Sequence, residues 1–147
     1  MRIRHSIFYR IRIVLFFAIA VINIQAASAE VYVIANASNP LKNISKNELR
    51  AIFLGEQTIW KDGSKIKIVD NLNKKVAEEF YSVCLGKKAE QIKKIWINLM
   101  LLGKMRPPES FRDQDELIEY VGSVKEAIAF VSELPKDEKR VSILKLE

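Results

Sequence analysis

Apolar and polar positions along this chain follow two rhythms, one of strands and one of helices. Val31 to Ala35 is a short β-branched run that predicts a largely buried strand, and the turn-forming Ser38-Asn39-Pro40 follows it. Ser45 with Glu48 spells a capping box, and Leu49, Ile52 and Phe53 supply the apolar face of a helix over 45–54 that Gly55 stops. Trp60 precedes an Asp62-Gly63 turn, after which Ile66, Ile68 and Val69 predict a second strand. Asn73 caps a second helix running to about Leu85, with Gly86 as its stop. Ile92, Ile95, Trp96 and Leu99 recur at helical spacing, and Asp113 with Glu116 opens a fourth helix carrying Leu117, Ile118 and Val121. Ala127 to Val131 and Val141 to Leu146 read as closing strands. Strands separated by helices predict an α/β fold, a central sheet flanked by helices.

The first 29 residues follow a different logic. Arg2, Arg4, Arg10 and Arg12 form a basic head, Ile13 to Ile24 is apolar apart from Asn23, and Ala27-Ser28-Ala29 supplies small residues of the kind a signal peptidase accepts. This spells a signal peptide over 1–29, with a mature protein from Glu30 exported to the periplasm. A retained anchor is the competing reading, although the apolar run falls short of the roughly 20 residues a spanning helix needs. Residues 30–147 then form one domain of 118 residues.

Setting the leader aside changes the electrostatics. The whole chain carries +6, but residues 30–147 hold 20 basic against 18 acidic residues, close to neutral. A nucleic-acid partner, which calls for a basic stripe on the folded domain, is not expected. Lys74-Lys75, Lys87-Lys88 and Lys93-Lys94 read as solvated helix faces, and any membrane contact is expected through the leader alone, if it stays uncleaved.

The chemical inventory is short. The one histidine, His5, lies in the leader, and Cys84 is the one cysteine, placed at helical spacing with Val76, Phe80 and Val83 as a buried hydrophobe. Residues 30–147 therefore lack the parts for a Ser-His-Asp or Cys-His triad, a histidine zinc site or an iron–sulfur site. The glycines stand singly, so no glycine-rich phosphate loop exists. Ser142-Ile143-Leu144-Lys145 matches a serine-x-x-lysine spelling, but in a strand positions three apart face opposite sides. No enzyme activity, metal or cofactor is expected.

Several motifs together carry a resemblance. Asn39-Pro40-Leu41, the helix ending Ile52-Phe53-Leu54-Gly55, then Trp60-Lys61-Asp62-Gly63 and the strand to Val69 resemble the second lobe of the periplasmic phosphate-binding proteins of ABC transporters. Trp96, Gly103-Lys104 and Pro107-Pro108 are similar to short, single-lobe relatives of that family, and Ala127-Ile128-Ala129-Phe130-Val131 to its closing strand. The resemblance implies a single lobe of the type II periplasmic-binding-protein-like fold, a phosphate or other oxyanion ligand, and an ABC transporter permease as partner. The chain departs from the family after the second strand. A basic residue and Ser-Gly-Thr are implied there, and Asp70-Asn71-Leu72-Asn73-Lys74-Lys75 stands instead, with Asp70 expected to repel an anion. The first lobe of the two-lobed clamp is missing as well.

In open α/β sheets ligands sit beyond the carboxyl ends of the strands. If the first two strands are adjacent and parallel, Asn36, Ser38 and Asn39 from one loop meet Asn71, Asn73, Lys74 and Lys75 from the other, at a helix start that favours anions. The bland alternative makes these asparagines turns and caps and leaves the lysines solvated. A second surface competes, because Leu99 to Leu102 are consecutive and cannot all face one core. Two functions follow from these surfaces: a periplasmic solute-binding component, or a ligand-free interaction module of the cell envelope that forms a homodimer or joins an assembly.

Overall fold

The computed structural model describes residues 30–136 and 139–147, so the expected leader lies outside the described residues. Strands β1 (Tyr32–Asn36), β2 (Asn43–Ile44), β3 (Lys67–Asn71), β4 (Glu109–Phe111), β5 (Ala127–Val131) and β6 (Val141–Leu146) join in one sheet, ordered β2-β6-β1-β5-β3-β4. β1 is antiparallel to both of its neighbours, β5 and β6. β3 is parallel to β4 and β5, and β2 is parallel to β6. Among the described strands, β1 alone runs against the common direction.

Among the described residues four helices cover this sheet: α1 (Lys46–Phe53), α2 (Lys74–Val83), α3 (Ala89–Leu101) and α4 (Gln114–Ser123). α1, α2 and α4 begin where their capping residues predict, whereas α3 starts after Lys88, which the sequence reading did not single out as a cap. Ser45 Oγ accepts from Glu48 N, Asn73 Oδ1 from Lys75 N and Val76 N, and Asp113 Oδ1 from Glu116 N.

The alternation of strand side chains divides the core in two. Ile34, Val69, Ala127, Ala129, Val131 and Val141 face α4, which contributes Leu117 and Val121. Val33, Ala35, Ile68, Ile128, Phe130 and Leu144 face the opposite side, covered by α1, α2 and α3. Every residue of β5 is buried, as expected of a strand sandwiched between helices. On the three-helix face the rings of Phe80 and Phe130 stack with centroids 4.0 Å apart, and Phe53, Tyr81 and Trp96 close around them. Cys84 is buried there too, and burial raises its thiol pKa.

Two contacts lock α1 to α3. Trp96 Nε1 donates to the carbonyl of Phe53 at 2.7 Å, satisfying a group that a helix end leaves open. Gly55 turns the chain at φ +73°, a conformation that favours glycine, and a Cβ there would crowd the end of the Leu99 side chain and make it shift.

The sheet departs from expectation in two respects. The short strands β2 and β4, of two and three residues, carry too little sequence for an alternation to register. The first two expected strands, β1 and β3, are neither adjacent nor parallel, because β5 lies between them and pairs antiparallel with one and parallel with the other.

Candidate functional site

The parallel strands β3, β4 and β5 end at one edge of the sheet, and the chain leaving each builds one side of a cleft. After β3 the chain passes through Asn73 into α2, and after β4 it passes through Arg112 and Asp113 into α4. A cavity of about 310 Å³ lies between these two helix starts, closed on its third side by Ser132, Glu133 and Lys136 after β5. Gln114 Oε1 accepts from both the backbone N–H of Ser132, at 2.8 Å, and its hydroxyl, at 3.0 Å. That pair of bonds ties the loop after β5 to the first turn of α4.

The chemistry of the lining is mixed. The amino ends of α2 and α4 bring partial positive charge and backbone N–H groups, and Arg112 and Lys136 add full cations. Asp113, Asp115 and Glu133 add carboxylates. A site that both donates to and accepts from its ligand suits an oxyanion that retains a proton, whereas a fully ionised anion meets repulsion from the acids.

The seven residues singled out from the sequence fall into two groups at opposite ends of the sheet. Because β1 runs against β3, the loop after β1 lies at the amino ends of the other strands, and Asn36, Ser38 and Asn39 do not meet Asn71, Asn73, Lys74 and Lys75. Asn36 is buried and gives its two amide hydrogens to the carbonyls of Val121 and Gly122, at 2.9 and 3.0 Å, while its Oδ1 accepts from Ser38 N. Asn39 Oδ1 accepts from Leu41 N, an Asx turn, and Ser38 and Asn39 border a smaller hollow of about 130 Å³ beside Trp60. At the other end, Asn71 and Asn73 line the cleft. Asn71 Nδ2 donates to the carbonyl of Phe130 and its Oδ1 accepts from Asn73 N. Lys74 and Lys75 stand in the first turn of α2 without lining the cavity, and Lys74 Nζ lies 3.8 Å from Glu78 in an exposed pair.

Asp70, expected to repel an anion, is directed elsewhere. Adjacent strand residues point to opposite faces, so Asn71 lines the cleft while Asp70 is buried toward the three-helix side, where its carboxylate accepts from the Tyr81 hydroxyl. Burial raises the Asp70 pKa, and the Tyr81 hydroxyl and nearby Lys93 partly offset that rise. Burial raises the Tyr81 pKa in turn, assisted by the Asp70 charge.

Arg112, Asp113, Gln114, Asp115, Ser132, Glu133 and Lys136 are polar cleft residues that the sequence reading did not assign to a site. Arg112 immediately precedes the Asp113 cap, and Ser132 immediately follows the closing apolar strand, so both signals were within reach. Among the described residues no group of three His, Cys, Asp or Glu side chains is placed to hold a metal ion, and no helix is long and apolar enough to cross a membrane.

No protein-family model matches this sequence, and no curated protein matches it. Solved structures do match. An ABC-type phosphate transport receptor from Vibrio cholerae superposes with a TM-score of 0.60 at 18% identity, over 79% of this chain and 45% of the receptor. A structure described as a phosphate ABC transporter substrate-binding protein with bound phosphate, from Clostridium perfringens, gives 0.62 at 20% identity, over 79% of this chain and 44% of that one. PstS from Borrelia burgdorferi gives 0.57 at 14% identity, over 80% and 47%. This chain has their fold and spans less than half of their length.

Proposed function

We propose that this protein is a periplasmic, non-catalytic binding component for phosphate or another protonated oxyanion, that it takes the ligand in the cleft between α2 and α4, and that it serves a membrane transporter. The observation that carries this reading is the convergence of two helix amino ends, Arg112 and Lys136 on one cavity at the carboxyl edge of β3, β4 and β5. The likeness to phosphate transport receptors, one with phosphate bound, supports the choice of ligand class. The exported leader over 1–29 and the domain over 30–147 are part of the same proposal.

The cleft is open, and that sets its strength. An ion pair at 4 Å in water is worth roughly 1 kcal/mol, so two cations and two helix starts, opposed by Asp113, Asp115 and Glu133, bring at most the ~4 kcal/mol of millimolar binding rather than the ~8 kcal/mol of micromolar capture. Tight capture requires a second body across the cleft, either a permease or another lobe.

Nuclear magnetic resonance titration with phosphate and with sulfate tests the reading. Millimolar phosphate shifts the amides of Asn73, Gln114 and Ser132, sulfate shifts them less because it carries no proton at neutral pH, and Arg112→Glu removes the phosphate response. Phosphate shifts confined to surface lysines, or unchanged in Arg112→Glu, would refute it.

A further inference from the structure

The outward side of α3 has a composition unlike the rest of the surface. Its buried side is Ile92 and Trp96, so the 100° step between residues places Glu90, Lys94, Ile97 and Leu101 along the centre of the solvent side, with Lys93 and Asn98 at its margins. Ile97 is 50% exposed, Leu101 81% and the following Leu102 68%. Ile97 and Leu101 stand one turn apart on the helix, Leu102 follows at its end, and all three lie open to water.

Charge is distributed unevenly around them. Residues 87–106 hold six basic side chains and one acid, whereas the remainder of 30–147 holds 14 basic and 17 acidic. The basic groups bracket the apolar stripe: Lys87 and Lys88 precede the helix, Lys93 and Lys94 lie on it, and Lys104 and Arg106 follow its end. At thirteen residues, α3 is about 20 Å long, with these groups on it or close to its two ends.

We infer that α3 lies on an anionic phospholipid surface, with Ile97, Leu101 and Leu102 entering the acyl boundary and the flanking lysines and Arg106 meeting the headgroups. A cationic helix with an exposed aliphatic stripe is the chemistry such a surface recognises. A second copy of this chain fits less well, because two-fold pairing through α3 sets six basic residues against six. A protein groove fits less well too, since lysine is depleted at the centre of protein interfaces and aromatic anchors, the usual hot spots, are missing from the exposed stripe. The contact is independent of the leader and of the cleft, which is built by α2 and α4.

Vesicle flotation of the full chain tests this, comparing phosphatidylglycerol-containing vesicles with pure phosphatidylcholine vesicles. Binding to the anionic vesicles exceeds that to neutral ones by on the order of tenfold at low salt and declines as salt is raised. Leu101→Asp with Leu102→Asp, and separately Lys94→Glu with Lys104→Glu, each lower it by about tenfold without changing the melting temperature. Hydrogen–deuterium exchange keeps the leader's own affinity from hiding the result, since the amides of 97–104 slow on anionic vesicles while those around the cleft do not. Unchanged exchange over 97–104, or a dimer that dissociates in the leucine double variant without any vesicle protection, would overturn the inference.

Discussion

On the three-helix face, Phe53, Gly55 and Trp96 interlock through a hydrogen bond and a close backbone approach, while at the carboxyl edge of β3, β4 and β5 the side chains of Arg112, Asp113 and Lys136 surround open space. The first region holds several of the letters by which the chain resembles phosphate receptors. The second holds the chemistry that could grip an anion, and it has none of those letters. The fold and the proposed ligand site are thus written in separate places here. Packing constrains the first region, because a methylene gained or lost in a core is felt, whereas an open polar cleft tolerates many side chains.

The division can be broken from either side. Trp96→Ala is expected to cost about 3–5 kcal/mol, the range for truncating a buried aromatic, measured as a shift in urea unfolding. The fraction that remains folded should keep its phosphate response, and a response lost in step with Trp96 would join the two regions. Asn36→Ala leaves the carbonyls of Val121 and Gly122 without their donor and should cost about 1–3 kcal/mol by the same assay, again without touching the cleft. A phosphate response abolished by Asn36→Ala would return that residue to the ligand site.

Asp70 supplies a pH test of the three-helix side. Burial raises its folded pKa above the ordinary carboxyl value of 3.8, so the folded state holds the proton more tightly than the unfolded chain does. Stability therefore falls as pH rises from that value through the raised one, and the cost persists at neutral pH. Asp70→Asn keeps an acceptor for the Tyr81 hydroxyl and removes the charge. It should be more stable than the wild type at neutral pH, with the gap closing on acidification below the ordinary carboxyl range; a gap that widens with acid would sink this account. The smallest effect on stability belongs to the cleft. Arg112→Ala should change unfolding by under about 0.5 kcal/mol, as surface substitutions do, while weakening phosphate binding roughly fivefold.

The fold was largely legible. Caps at Ser45, Asn73 and Asp113, stops at Gly55 and Gly86, and the buried strand 127–131 all stand in the structure where local chemistry puts them. The sheet's order was not, because the direction of β1 depends on β5 and β6 flanking it, and nothing in Val31 to Asn36 itself distinguishes a parallel from an antiparallel neighbour. That one unknown decided where the loop asparagines went. Asn36 and Asn39 took the turn and tether roles open to any asparagine, whereas Asn71 and Asn73 combine such roles with a place on the cleft. Leu101 and Leu102 turned out exposed, a matter of which way a helix end rolls and of which neighbours cover it, which a run of apolar letters does not specify.

The placement of β1 also bears on how the chain acquires its structure. Tyr32 pairs with Val131 and Val33 with Leu144, contacts that span roughly a hundred residues and give a high contact order, which slows folding. The first described strand has no sheet partner until the last two have been made, so a chain emerging amino end first leaves this sheet unfinished until residues 141–146 arrive.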